Sequence, residues 1–354
     1  MTQVLLNPEQ MRGAYHRASR YRLIWLGASV TALILLIVLD LSFGPSGMPV
    51  DVVLGGLLAG AKGEDRAVAA ILWQLRMPQT LMGVIVGAAL GSAGLLMQTI
   101  LNNPLASPFT LGFSASAGFG AALAIMFGSA LALPDWAIVP MSAFAMTLIA
   151  CGLIYLLAAL RSAAPEILVL GGIAVMFFFQ AMQSLLQFMA SPEVLQQIVF
   201  WLFGSLLKSS WNSIWVADVI VTCCIPFVLR DLWALTTLRL GETNARSLGL
   251  NVEALRCRIF VIVALLTAAA VSFVGTIGFV GLVAPHVARA LVGEDHRYSL
   301  PLAAMIGGVI LLAASFFGKL ISPGAVIPVG IITAVAGVPM LFMIILRDNA
   351  RKDR

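Results

Sequence analysis

The sequence predicts an all-α integral membrane protein of about ten membrane-spanning helices, and three observations predict it. Of the 354 residues, 60% are apolar and only 10% are charged, against about 25% charged in an ordinary soluble domain. A water-facing surface of that composition would be one adhesive patch, so lipid surrounds most of the chain. The apolar residues fall mostly in runs of about 20, the length that crosses the hydrocarbon as a helix. Finally, the basic residues gather at the ends of those runs, mainly on one side.

The elements follow in order. Residues 1–22 read as a cytoplasmic tail carrying Arg12, Arg17, Arg20 and Arg22. The apolar run from Leu23 to Phe43 exceeds the roughly 7–15 residues of a signal-peptide core and has no small-residue cleavage site. It reads as a retained first span. Residues 44–78 lie outside, and GEDRAVAAILWQLR within them reads as an amphipathic surface helix running into the second span. From Met77 to Leu160 only Asp135 is charged. Breaks at Asn102-Asn103-Pro104 and Leu133-Pro134-Asp135-Trp136 divide that stretch into spans near 79–98, 108–127 and 137–160. Further spans are expected near 167–188, 212–229, 257–277, 280–292, 299–318 and 328–346. The 280–292 piece is short and opens on glycines, as a broken or partly re-entrant helix does. Residues 23–346 thus form one transmembrane domain, with an inside segment at 230–256 and a cytoplasmic tail at 347–354.

Charge bias checks the count. With the N-terminus inside and spans alternating, sixteen of the 21 basic residues fall inside, Arg161 among them. Lys62, Arg66, Arg76, Lys208 and Lys319 fall outside. The net charge of +5 therefore reflects topology, and nucleic acid is not an expected partner. Cys151, Cys223, Cys224 and Cys257 lie in or beside apolar segments without a CxxC spacing and read as small buried hydrophobes.

No G-x-x-x-x-G-K-[ST], HExxH or GxSxG occurs, and His16, His286 and His296 are far apart in sequence. No catalytic or metal site is expected, and no phosphate-cradling loop. An ion-coupled secondary transporter, the reading of another class, would need ionisable groups in mid-membrane. Asp218 and His286 are its candidates, and an otherwise quiet interior points to an energy source outside the chain. Gly83, Gly87 and Gly91 recur at spacings of four, on one helix face, for close packing inside the subunit or between subunits. The inside segment RDLWALTTLRLGETNARSLGLNVEALR carries two glycines, Gly241 and Gly249. It reads as a short surface helix offered to a partner or as a solvated loop.

Four collinear blocks resemble the FecCD-type permeases of bacterial ATP-driven importers of iron–siderophore complexes, haem and cobalamin. They are RMPQTLMGVIVGAALGSAGLLMQTILNNPLASPFTLGFSASAG, LGETNARSLGLNV, GTIGFVGLVAPHVARALVGEDHRYSLP and IPVGIITAVAGVP. The resemblance runs from Trp73 to Leu346. It implies the type II importer architecture, both termini cytoplasmic, in the bacterial inner membrane. It further implies two permeases around a central path, as two copies or two homologous subunits. Two ATP-binding subunits, which hold the ATP and magnesium, lie beneath, and a periplasmic or lipid-anchored binding protein lies above.

Among site residues, the resemblance assigns ATPase coupling to Gly241, Glu242, Ala245, Arg246, Ser247, Leu248, Gly249, Leu250 and Asn251. It assigns a cytoplasmic gate to Asn103, Pro104 and Leu105, and binding-protein docking to Arg76 and Lys319. The chain departs from the family pattern at Gln79, where a second arginine is usual, and at Lys319, also usually arginine. Val326 stands where many relatives carry glutamate. A ferric siderophore is the expected cargo, with cobalamin or haem as the alternative.

Overall fold

The computed structural model describes residues 8–44, 47–63, 65–128, 134–160, 164–322 and 327–352. Arg161 and Val326 lie outside them. Every described element is helical: α1 Pro8–Ser42, α2 Val50–Ala59, α3 Arg66–Ala69, α4 Met77–Ile100, α5 Phe113–Phe127, α6 Asp135–Ala159, α7 Pro165–Met189, α8 Pro192–Leu202, α9 Trp211–Leu238, α10 Glu242–Ser247, α11 Val252–Val274, α12 Val280–Val292, α13 His296–Ile321 and α14 Val329–Lys352. Each of the ten expected spans meets one helix. Seven helical runs are long and apolar enough to cross a membrane alone. The spans expected at 108–127, 280–292 and 328–346 meet shorter apolar helices, α5, α12 and the Val329–Phe342 part of α14.

The sequence boundaries err where a helix continues through polar residues. Helix α1 starts at Pro8, inside the expected tail, since a helix reaching water tolerates arginines. Helix α9 reaches Leu238 and α11 starts at Val252, so most of the expected inside segment 230–256 belongs to two spans and only α10 lies between them. Helix α5 starts five residues late, because Gly112 adopts φ 81° after the turns of Ser107–Leu111. Two helices were not anticipated. One is α2, in the outside segment. The other is α8, whose start was legible: Ser191 accepts a hydrogen bond from the Val194 N–H, with Pro192 next in line.

The outer surface helix and second span are one continuous rod, from α3 through a π-helical turn at Ala70–Arg76 into α4. Asp65 opens it by accepting from the N–H groups of Ala67 and Val68. Helices α4 and α11 form the centre, with 72% of the most apolar window of each buried, whereas in α1 the figure is 6%. Lipid or another subunit therefore faces α1, and α4 is the axis on which the rest packs.

Close packing on that axis depends on the absence of side chains. A Cβ at Gly87 would stand 2.5 Å from the Gly307 carbonyl oxygen, and one at Gly91 would stand 2.2 Å from that of Ala303. One at Gly83 would meet the Leu312 side chain at 2.9 Å. All three glycines thus face α13 of the same chain. Lipid tails are as apolar as leucine, so helices gain by van der Waals contact at short range instead of by leaving the solvent.

Gly91→Val is expected to abolish recovery of monodisperse protein from membranes, because a backbone oxygen cannot swing aside. Gly27→Val, where nothing stands within 4 Å, should recover at the wild-type level. Size-exclusion profiles of the two variants check the contrast.

Candidate functional site

At the inner end, the turn after α4 brings three elements together. Arg256, on the first turn of α11, is 3% exposed. Its Nε donates to the Ile100 carbonyl at 3.0 Å and its Nη2 donates to Glu242 Oε2 at 3.1 Å. A cation thus caps the C-terminus of α4, where the helix dipole is negative, and the same cation holds α10. Glu242 also accepts from Arg246 at 2.8 Å, and Arg246 reaches Glu253 at 3.3 Å. The hydrogen bond from Arg246 is the main cause that holds the Glu242 carboxyl below its usual range; burial opposes it and Arg256 assists.

Helix α10 is bounded by Gly241 at φ 108° and Gly249 at φ 82°. Both are left-handed positions that L side chains resist. Ala245 is fully buried, Glu242 is half-buried, and Arg246, Ser247, Leu248 and Gly249 are exposed. Leu250 is half-buried, and Asn251 caps α11 through the Ala254 N–H. The nine residues assigned to coupling span the short helix α10 and the turn that follows it, which present one face outward. Beside it opens a cavity of about 590 Å³ lined by Thr99, Asn102, Glu166, Glu242, Arg246 and Arg256, among others.

The expected gate is the turn between α4 and α5. Asn103 Oδ1 accepts from the Leu105 N–H at 2.9 Å, and Asn102, at φ 45°, accepts from Arg239 at 3.0 Å. Arg239 forks onto both oxygens of Glu294. Pro104 and Leu105 are therefore exposed on a pinned turn, with Leu105 48% exposed. Behind it, His296 is buried between Thr99 Oγ1 at 2.8 Å and Thr236 Oγ1 at 3.3 Å. Arg289 bonds Gln98. Sequence reasoning missed this ring because its members come from α4, α9, α12, α13 and the α12–α13 turn, with no local motif.

The outer end corrects two expectations. Arg76 and Lys319, expected at an open docking surface, are 5% and 9% exposed. The interior is also not electrostatically quiet, because both cations surround Asp40, which is 0% exposed. Lys319 Nζ lies 2.7 Å from Asp40 Oδ1 and donates to the Asp40 carbonyl at 2.9 Å. Thr80 donates to Asp40 Oδ2 at 2.6 Å. Arg76 Nη1 donates to the carbonyls of Leu41 and Ser42 at 2.5 and 2.9 Å. Burying these charges requires such pairing, so the outer end of α1 takes the two cations away from solvent. The available signal was an aspartate inside the first apolar run, in VLDLSF. Gln79, at the departure from the family pattern, stays close to this cluster in the first turn of α4.

Asp218 and His286 are each half-buried, on α9 and α12. Among the described residues no three His, Cys, Asp or Glu side chains gather as metal ligands.

With the geometry in view, comparisons with known proteins converge. The sequence pattern of the FecCD transport family matches residues 32–347. The Fe(3+)-citrate import system permease protein of Bacillus subtilis is 36% identical over 324 residues, covering 91% of this chain and 94% of that protein. A vitamin B12 import system permease protein of Klebsiella pneumoniae is 32% identical over 345 residues, covering 97% and 99%. A solved inward-facing structure, described as being of the metal-chelate type of ABC transporter, superposes with a TM-score of 0.81 at 29% identity, covering 91% and 98%. PsaBC from Streptococcus pneumoniae, at 17% identity and a TM-score of 0.54, shares the fold.

Arg256→Ala should destabilise the protein by about 1–3 kcal/mol, since it uncaps a buried carbonyl and frees α10. Arg246→Ala, removing an exposed partner, should lower the thermal midpoint in detergent by less than Arg256→Ala does. The lowered carboxyl of Glu242 predicts a pH effect of fixed sign. Its contribution is complete above the ordinary glutamate value of about 4.3 and fades as pH falls through the lowered one. Glu242→Gln should flatten that acid limb of the midpoint-against-pH curve.

Proposed function

Because this chain belongs to the FecCD transport family, we propose that it is the permease subunit of an ATP-driven importer for a ferric siderophore or a related bulky metal chelate. One observation carries the coupling part of this reading: α10, rigid between two left-handed glycines, is clamped by Arg256 to the inner end of the central helix α4. A short exposed helix fastened to a core rod can pass a partner's movement into the bundle without bending. The permease works by alternating access and performs no chemistry on its cargo. ATP and magnesium belong to two partner ATPase subunits that receive Gly241 to Asn251, and Leu105, on the turn held by Asn103 and Pro104, closes the inner mouth.

The cargo class rests on what the relatives carry. Ferric citrate and vitamin B12 are both metal chelates, and both relatives align over nearly the whole chain. A periplasmic or lipid-anchored binding protein delivers the chelate, and a second copy or a homologous permease completes the path in the bacterial cytoplasmic membrane. Docking through Arg76 and Lys319 requires this buried pair to be re-exposed when the binding protein arrives.

Reconstitution with the partner ATPase and binding protein in proteoliposomes tests the proposal. Chelate-loaded binding protein should raise ATP hydrolysis several-fold and iron should accumulate inside. Hydrolysis indifferent to loaded binding protein, with no accumulation, would refute it. Gly249→Trp, which has open space around it but an unfavourable φ, should reach the membrane and lose the stimulated increment. Retention of full stimulation would remove the coupling role of α10.

A further inference from the structure

The Asp40 cluster adds a polar tie at the outer ends of α1, α4 and α13, of which α4 and α13 are already packed together along their length. The carboxylate belongs to α1, Lys319 to the last turn of α13, Thr80 to the first turn of α4, and Arg76 to the end of the π-turn above it. Helix α1 packs mainly along α13 and otherwise faces outward. Its remaining polar ties are few: Ser19 to Tyr298, Arg22 to Asp295 at 3.5 Å, and Ser29 to Met305. These lie toward the inner half. At the outer end the carbonyls of Asp40, Leu41 and Ser42 all accept from the two cations. The negative end of the α1 dipole and the Asp40 carboxylate together form one anionic receptor, and Lys319 and Arg76 fill it.

Helix α4 leaves this cluster at Thr80 and ends at Ile100, where Arg256 holds its last carbonyl and Glu242 of α10. No proline interrupts it after Pro78, and along its length it is pressed against α13 through Gly87 and Gly91. One rigid rod therefore connects the outer cluster to the inner coupling helix. We infer that Asp40 is a positioning residue of the transport cycle. It clasps α1, α4 and α13 into one body at the outer face, so that movement imposed there arrives at α10 without being lost in a loose outer end. The inference rests on the importer reading for its functional half and on geometry alone for its structural half.

Two measurements test the halves separately. The chain has four lysines, Lys62, Lys208, Lys319 and Lys352, so labelling by a membrane-impermeant amine reagent can be read by mass spectrometry. In wild-type protein Lys319 should react at least tenfold more slowly than Lys62 and Lys208, and Asp40→Asn should remove most of that protection. Equal reactivity in the wild type, or unchanged protection in Asp40→Asn, would overturn the clasp.

For function, the ratio of stimulated to unstimulated ATP hydrolysis is measured in the reconstituted complex at saturating binding protein, where weakened docking no longer limits the rate. Asp40→Asn combined with Lys319→Met removes both members of the ion pair and leaves Arg76 on the Leu41 and Ser42 carbonyls. Joint replacement of a buried pair is a change that stability tolerates in many proteins. This variant should reach the membrane at the wild-type level, with the ratio reduced at least fivefold. A wild-type ratio would overturn the inference. So would failure to reach the membrane, which would make the pair a folding element only. An unstimulated wild-type complex would instead count against the importer reading.

Discussion

Direct contact between the backbones of α4 and α13 is the constraint on which the remainder depends. In lipid, no solvent penalty presses helices together, so attraction must come from atoms in contact. Gly87 and Gly91 on one side and Ala303 and Gly307 on the other remove the side chains that would hold the axes apart. Once these two helices are joined, α11 and α12 have a fixed surface to pack on, and α1 lies along α13. The inner turn is held because α4 ends where it must, beside Arg256. Polar networks at both ends then act on a scaffold that is already rigid.

The two ends of the molecule solve one problem in the same way. A helix that ends inside a protein leaves carbonyls that need donors, and it carries negative potential there. At the outer end of α1 the donors are Lys319 and Arg76, and at the inner end of α4 the donor is Arg256. Each cation comes from another element, so capping a helix also fastens its neighbour. The cations also engage carboxylates, Asp40 outside and Glu242 inside, which offsets the cost of keeping charge away from water.

Much of this was legible in the sequence because membrane topology is written in composition. Apolar length located ten helices, since lipid leaves no other solution for the backbone. The glycine face of α4 was visible from its spacing, as were the two glycines that bound α10. What stayed hidden depends on groups meeting across distance. Asp40 and Lys319 are 279 residues apart, and Arg256 and Ile100 are 156 apart, so no local pattern announces either contact. Exposure was also misjudged for Arg76 and Lys319, because position near the end of a span does not reveal whether a cation snorkels to water or turns inward to a buried acceptor. The facing ends of α9 and α11 were misjudged because a helix continues wherever nothing breaks it.

The π-helical turn at Ala70–Arg76 sets how the outer face is aimed relative to the core. A turn of this kind closes its hydrogen bonds one residue later than an α-helix does, as the Met77 N–H does on Leu72. Such a turn accommodates one extra residue in a helix that is packed on both sides. Without it, everything before Arg76 would rotate by about a quarter turn relative to α4, and either Arg76 would lose the end of α1 or Leu72 would leave the outer apolar cluster beneath α2. Keeping the bulge allows both surfaces to be retained by one rod. A change of one residue in this turn would therefore re-aim the outer face relative to α4 while leaving the packing of α4 on α13 as it is.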